Sequence, residues 1–207
     1  MKLKIFLVAF ICILFTSASY SQIKLSIGPE VGINIANLSA TPDFSYTSRT
    51  GLLFGANLDM GFGHYISVQP GLRFVMKGAG GSDGAGGSFT IKLNYFEIPV
   101  LLKVTFPLTE VKPFLFAGPV LGINMSANED DTPQGGTTTT TDVSNNVSGT
   151  DFSILFGGGV GFKVAPKVDL YASFGYQLGL SNILKNNTTT TLKNTGIQIT
   201  AGAWFHL

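Results

Sequence analysis

The sequence predicts an all-β protein, an eight-stranded antiparallel up-and-down transmembrane β-barrel. Apolar and polar residues alternate with a period of two along most of the chain, which is typical of strands with two different faces. Mean hydropathy is positive, at +0.32, yet beyond residue 15 no apolar run approaches the ~20 residues that a membrane helix needs. The connections between alternating stretches are short and long in turn, as in barrels with short periplasmic turns and long external loops.

Length and composition agree with this fold class. The 207 residues suffice for one domain. Charged residues make up 12% of the chain, about half the usual share of a soluble domain. A closed barrel is the arrangement in which an all-strand chain can lie in lipid, because an open sheet edge leaves backbone groups without hydrogen bonds.

The N-terminal residues 1–21 have the pattern of a secretory signal peptide. Two lysines precede the apolar run Ile5–Phe15, and small and polar residues follow it. We expect cleavage before Gln22, which leaves 22–207 as the barrel domain. The run is too short for a membrane anchor, which is the alternative interpretation.

Cleavage would also remove the one cysteine of the chain, Cys12. The mature protein then has no thiol for a disulfide bond or for nucleophilic catalysis. Because Lys2 and Lys4 are lost too, the formal net charge falls from +1 to −1. Near-neutral charge gives no argument for a nucleic acid as partner.

The first half of the chain supplies four strands. In the first strand, Val31 and Ile33 alternate with Glu30 and Gly32. The second strand is followed by the tight turn Gly61–His64, because glycine supplies the backbone conformations that short turns need. The alternation in the fourth slips between its two halves, which indicates a bulge or a segment outside the membrane. A glycine-rich connection, Gly78–Ser88, is expected to be flexible. The four strands are expected at Ile23–Ala36, Thr50–Met60, Tyr65–Lys77 and Phe89–Thr105.

The second half supplies four more strands with the same alternation. The longest connection, Ser126–Asp151, contains Glu129-Asp130-Asp131, which could hold a divalent cation or belong to a solvated loop. Aromatic residues near the short turns are expected to form an interfacial girdle: Phe62, Tyr65, Phe106, Phe114, Trp204 and Phe205. The strands are expected at Lys112–Met125, Phe152–Val164, Val168–Ile183 and Thr195–Leu207.

Charged residues on the inward face predict a network in the lumen. Arg73 and Glu97 fall at one height on adjacent strands, so we expect them to form an ion pair with Glu30 close by. Such a network either holds the barrel closed or lines a narrow conducting path. Its expected members are Glu30, Asp59, Arg73, Glu97, Lys103, Lys163 and Asp169.

The sequence gives little support to an enzyme. The two histidines, His64 and His206, both fall at the end with the short turns. Neither stands in a Ser-His-Asp or metal-ligand spacing. We therefore expect no catalytic residue, no bound cofactor and no metal site.

Several motifs resemble a known family. They include Tyr95–Pro99, Lys112–Phe114, Gln69–Leu72 and Tyr176–Ile183. Together they are similar to the outer-membrane β-barrels of Bacteroidetes-type bacteria, which are described as PorT-family or porin-family proteins. The resemblance implies a Gram-negative cell envelope, contact with outer-membrane lipid and insertion by the outer-membrane assembly machinery. That machinery usually recognises a C-terminal aromatic residue, where this chain has Leu207.

Three functions remain open at this point. A structural or interaction barrel with a mostly plugged polar lumen would act through external loops, with an envelope or extracellular partner for residues 126–151. A narrow porin would pass small solutes, although open channels generally belong to larger barrels. A soluble lipocalin-like binding barrel would reverse the two faces, which the glycine-rich polar face disfavours.

Overall fold

The computed structural model describes residues 23–106, 108, 111–185 and 189–207. The predicted signal peptide lies outside this range and stays a prediction. None of the described residues forms a helix long and apolar enough to cross a bilayer. The strands are β1 Lys24–Thr41, β2 Thr47–Phe62, β3 Ile66–Ser82, β4 Ser88–Thr105, β5 Val111–Thr132, β6 Thr139–Asp142, β7 Thr150–Ala165, β8 Val168–Gly179 and β9 Thr191–His206.

Eight of these strands close into a ring of antiparallel neighbours. The order is β4-β3-β2-β1-β9-β8-β7-β5, and pairing of β4 with β5 completes the ring. The predicted eight-stranded up-and-down barrel is therefore confirmed. The ninth strand, β6, pairs with β5 outside the ring and lies within the connection that was predicted to be a loop.

The two faces of the wall follow the predicted alternation. Val31, Leu72 and Leu115 point outward and are more than half exposed, while Arg73 and Glu97 point inward and are buried. An exposed apolar surface around the outside of a closed ring fits contact with lipid chains.

Seven of the eight wall strands extend further at the long-connection end than the sequence indicates, whereas β8 ends at Gly179 and not at the predicted Ile183. The glycine-rich connection 78–88 was expected to be flexible, but β3 and β4 pair as far as Ser82 and Ser88. Only residues 83–87 form the turn, where Gly84 and Gly86 have φ of 77° and 93°. Glycine can adopt the dihedral angles of a strand without a steric clash. The backbone ladder therefore continues through a stretch whose side chains show no alternation of polar and apolar residues.

The irregularity expected in the middle of β4 coincides with a bulge in the β4–β5 ladder, but the extra residue belongs to β5, and β4 keeps one register with β3. Asn94 pairs with Ser126 and Tyr95 with Asn124, which leaves Met125 as the extra residue. Beyond the bulge, β3, β4 and β5 continue toward the long connections, and β6 pairs with β5 as a fourth strand. We call this part of the wall, together with β6, the external sheet.

Candidate functional site: the barrel lumen

Three layers of side chains fill the lumen along the barrel axis. The middle layer is charged and polar, and we call it the ion layer: Glu30, Arg73, Lys77, Glu97 and Asp151 with the amides around them. An apolar seal lies toward the external sheet. Aromatic rings lie toward the short turns, above a cavity that we call the vestibule.

The ion layer is built on one rung of the β3–β4 ladder. Arg73 and Glu97 are Cα partners, and Arg73 Nε lies 3.3 Å from Glu97 Oε2. Arg73 Nη1 lies 3.8 Å from Glu30 Oε1. The side chains of Arg73 and Glu97 are 4% and 0% exposed, so water screens this attraction little. The structure thus brings together the three residues that the sequence placed at one height.

Lys77 is a member of the ion layer that the predicted network omitted. Its Nζ lies 2.7 Å from Glu97 Oε1 and 3.2 Å from Asp151 Oδ2. The alternation of faces in the sequence could have identified Lys77, because it lies four residues after Arg73 in β3 and therefore faces the same side. Asp151 gave no such signal, because the sequence placed it at the end of a loop.

Neutral amides connect the charged groups across the lumen. Gln177 Nε2 donates to Glu97 Oε1 at 2.8 Å and to Ser153 Oγ at 2.7 Å. Gln198 Nε2 donates to Gln177 Oε1 at 2.6 Å. The amides therefore offset part of the cost of burying Glu97 at Oε1. Arg73 Nε and Nη2, Glu97 Oε2 and Glu30 Oε1 have no hydrogen-bond partner among the described residues.

The remaining predicted members lie nearer the short turns. Lys103 Nζ lies 2.7 Å from Asp59 Oδ2. Asp169 pairs with Lys112, whose Nζ lies 2.6 Å from Asp169 Oδ2, although the predicted network did not include Lys112.

Lys163 does not join the network, and its predicted role is wrong. It is the Cα partner of Asp169, but its side chain is exposed and takes part in none of the ion pairs among the described residues. A register shift between Lys163 and Ala165 marks the end of this ladder. Near a strand end, the alternation of faces no longer fixes where a long side chain goes.

The apolar seal covers the ion layer on the side of the external sheet. It includes residues from outside the barrel strands, because Val147 and Ile183 fold inward from two external connections. An isolated bridge between Val147 and Leu184 ties these connections together. The buried members of the seal are Leu38, Ala40, Ala79, Leu93, Tyr95, Ala127, Val147, Ile183 and Leu192.

Aromatic rings fill the lumen below the ion layer. Tyr171 stacks on Trp204 with ring centroids 5.0 Å apart, and Phe114 contacts Tyr171 edge-on. Lys103 Nζ lies 4.9 Å from the centroid of Trp204. Phe114 and Trp204 are buried inside the barrel, so the prediction that they belong to an interfacial girdle is wrong. Tyr65, Phe106 and Phe205 are exposed near the short turns, where a girdle would lie.

The vestibule is a cavity of about 250 Å³ at the end with the short turns. On its wall, Ser26 Oγ lies 2.7 Å from His206 Nδ1, and His206 Nε2 lies 3.1 Å from Asp169 Oδ2. These residue types form nucleophilic triads in hydrolases. Here Ser26 and His206 are Cα partners in a regular ladder, so their contact follows from cross-strand pairing at the β1–β9 seam.

The acidic run Glu129-Asp130-Asp131 is divided between the two faces of the β5 strand. Asp130 pairs with Lys92 and accepts a hydrogen bond of 2.9 Å from Thr140 Oγ1. Among the residues that the structure describes, no group of three or more His, Cys, Asp or Glu side chains could hold a metal ion.

Comparison with known proteins agrees with the closed ring and its apolar outer face. Residues 17–185 match a family model described as "Outer membrane protein beta-barrel domain". The chain belongs to this family. Membership implies an outer-membrane location for the barrel. A search of curated proteins gives no match for this sequence.

Solved structures of outer-membrane proteins are similar to this chain, and the first of them supports its fold. The outer membrane protein OprG from Pseudomonas aeruginosa has a TM-score of 0.53 at 7% identity, covering 89% of this chain and 96% of that one. Neisserial surface protein A has a TM-score of 0.49 at 17% identity, covering 86% and 96%. Ail of Yersinia pestis has a TM-score of 0.46 at 13% identity, covering 90% and 99%. At these identities the similarity concerns the fold.

Proposed function

We propose that this outer-membrane barrel has a plugged lumen and acts as a structural or interaction protein through its external connections. The observation that carries the proposal is the apolar seal directly above the buried ion layer. A solute that crossed the barrel would have to displace both layers. At eight strands, side chains are sufficient to fill a barrel interior.

The ion layer opposes conduction for an energetic reason. Lys77 Nζ contacts carboxylates from two strands, Glu97 of β4 and Asp151 of β7, so the ion pairs cross the lumen. Opening a path would separate charges that are almost fully buried, and an unpaired buried charge costs several kcal/mol, roughly 3–5. A closed lumen leaves the external connections as the part of the protein that can meet a partner.

The external connection 126–151 supports an interaction role. Its strand β6 is exposed along all four residues, and the turn before it is exposed as well. We propose an envelope or extracellular partner for this segment, outer-membrane lipid around the wall, and the assembly machinery for insertion. Placement among the PorT-type proteins of Bacteroidetes-type bacteria rests on the sequence motifs and is also a proposal.

Single-channel conductance of the refolded protein in planar bilayers tests the plugged lumen. Heat-dependent gel mobility first shows that the barrel is folded, and an open porin in the same bilayers serves as the positive control. We expect no stable openings. Steady openings whose size changes in Arg73→Ala or Glu97→Ala would contradict the proposal and favour a narrow porin instead.

A further inference from the structure

The outer edge of β6, on the external sheet, has no strand partner among the residues that the structure describes. Among the described residues, β6 forms one ladder, in which Thr139–Asp142 pair with Asn128–Asp131 of β5. The β5 side of the strand is therefore occupied. Alternate backbone N–H and C=O groups of a strand point to its other side, where they can pair with a further strand.

This edge has few of the features that protect sheet edges from pairing. Natural edges are kept very short, carry charged residues, proline or bulges, or are covered by a loop or a helix. β6 is short and ends in Asp142, but it has no lysine, proline or bulge. β6 reads Thr-Thr-Thr-Asp, and its pairing with β5 is regular. Threonine is a β-branched residue that favours extended backbone. The segment is thus suited to accept another strand.

The charge around the edge selects the kind of strand. From Asn128 to Asp142 the sequence has four acidic residues and no lysine or arginine. Asp130 is paired with Lys92, whereas Asp131 and Asp142 are exposed. Hydrogen bonds from the hydroxyl and the backbone N–H of Ser144 hold the pKa of Asp142 below its ordinary value. The local charge therefore stays negative at neutral pH.

We propose that the β6 edge binds a basic, extended peptide segment of a partner protein by β-strand addition. Main-chain hydrogen bonds to the edge would supply affinity. A lysine or arginine opposite Asp142 would supply specificity, with the acidic side chains of β5 one strand further away. A second copy of this chain fits less well, because pairing β6 with itself offers Asp142 no basic partner and adds like charge from both copies. The inference rests on the proposed function, since it names the chemistry of the external partner.

A labelled peptide with the sequence Lys-Val-Lys-Val-Lys-Val tests the inference by fluorescence anisotropy. The refolded protein is held in nanodiscs of zwitterionic lipid, so that the peptide has no charged bilayer to bind. One control peptide has glutamate in place of lysine. The other is N-methylated at every peptide nitrogen, which keeps its charge but removes the backbone donors on both of its edges.

Two protein variants provide a matched pair. Successive residues of a strand point their amides to opposite edges, so either Thr140→Pro or Thr141→Pro removes an N–H from the free edge. Heat-dependent gel mobility shows that each variant still forms the barrel. Self-association is measured separately by light scattering.

We expect the lysine peptide to bind, and N-methylation to weaken binding by about tenfold or more. The glutamate peptide should not bind, and one of the two proline variants should lose binding. Equal binding of the methylated peptide, retention of binding by both variants, or no binding at all would each overturn strand addition. Self-association through β6 would name a second copy as the occupant instead. Failure here leaves the plugged lumen intact, whereas steady conductance contradicts the plugged lumen whatever the peptide does.

Discussion

Gln177 of β8 donates a hydrogen bond of 2.8 Å to Glu97 of β4 across the barrel lumen. The two residues are 80 positions apart in the chain, and their strands are not neighbours in the ring. A single side-chain contact therefore spans the interior at this height. The same carboxylate also binds Arg73 and Lys77, so side chains from three wall strands meet at Glu97.

Removal of Arg73 is expected to destabilise the barrel strongly. Arg73→Ala leaves Glu30 and Glu97 buried near each other, with Lys77 as the neighbouring cation. Loss of one partner from a buried ion pair costs about 3–5 kcal/mol. Urea unfolding in detergent micelles measures the change, with fluorescence of Trp204, the one tryptophan of the chain, as the signal.

The matched control is the exposed ion pair between Lys92 and Asp130. The Lys92 side chain is 41% exposed, so Lys92→Ala is expected to change the free energy of unfolding by less than about 1 kcal/mol. An Arg73→Ala protein as stable as wild type would show that the ion layer contributes nothing to closure.

Introduced cysteines are expected to report how far solvent enters the lumen. Residues 22–207 contain no cysteine, so single substitutions in a protein of that range give an unambiguous signal. Thr105 lines the vestibule and is partly exposed, whereas Ser153 is buried beside Gln177 in the middle of the barrel. Thr105→Cys should react rapidly with a charged thiosulfonate reagent, and Ser153→Cys should react only after unfolding. Equal rates in the folded protein would show that water and solutes pass the ion layer.

Two glycines on the inner face of β7 are expected to differ in their tolerance of a methyl group. A Cβ at Gly157 would lie 2.1 Å from the carbonyl oxygen of Phe174, while at Gly161 the nearest atom is 3.6 Å away. Gly157→Ala should therefore lower the free energy of unfolding by about 1–3 kcal/mol through overpacking. Gly161→Ala should be neutral or slightly stabilising, since it reduces the freedom of the unfolded chain. The same urea titration compares them, and equal values would contradict close packing at Gly157.

The fold could be predicted from the sequence because one physical constraint acts along the whole chain. A strand between lipid and lumen must alternate its faces, so parity assigns Val31 to the outside and Glu30 to the inside. The same parity, combined with height along neighbouring strands, places Arg73 beside Glu97.

Other parts of the lumen could not be predicted from the alternation of faces alone. Val147 and Ile183 enter the seal from connections, which have no period of two. Lys163 lies at a ladder end, where its long side chain is exposed to solvent. Trp204 has inward parity, yet its position near the end of the chain favoured an interfacial role.

Leucine at two positions of β4 separates packing of the seal from contact with lipid. Leu93 is fully buried in the apolar seal, whereas Leu102 lies on the outer face and is 53% exposed. Leu93→Ala is expected to cost about 2–5 kcal/mol, because the cavity it leaves is enclosed by ordered side chains. Lipid chains can fill the space left by Leu102→Ala, so its cost should approach the transfer of the lost groups alone, about 0.8 kcal/mol per CH₂. Urea unfolding of both variants decides the question. A Leu93→Ala protein no less stable than Leu102→Ala would show that the seal is loosely packed, and would remove the main support for a closed lumen.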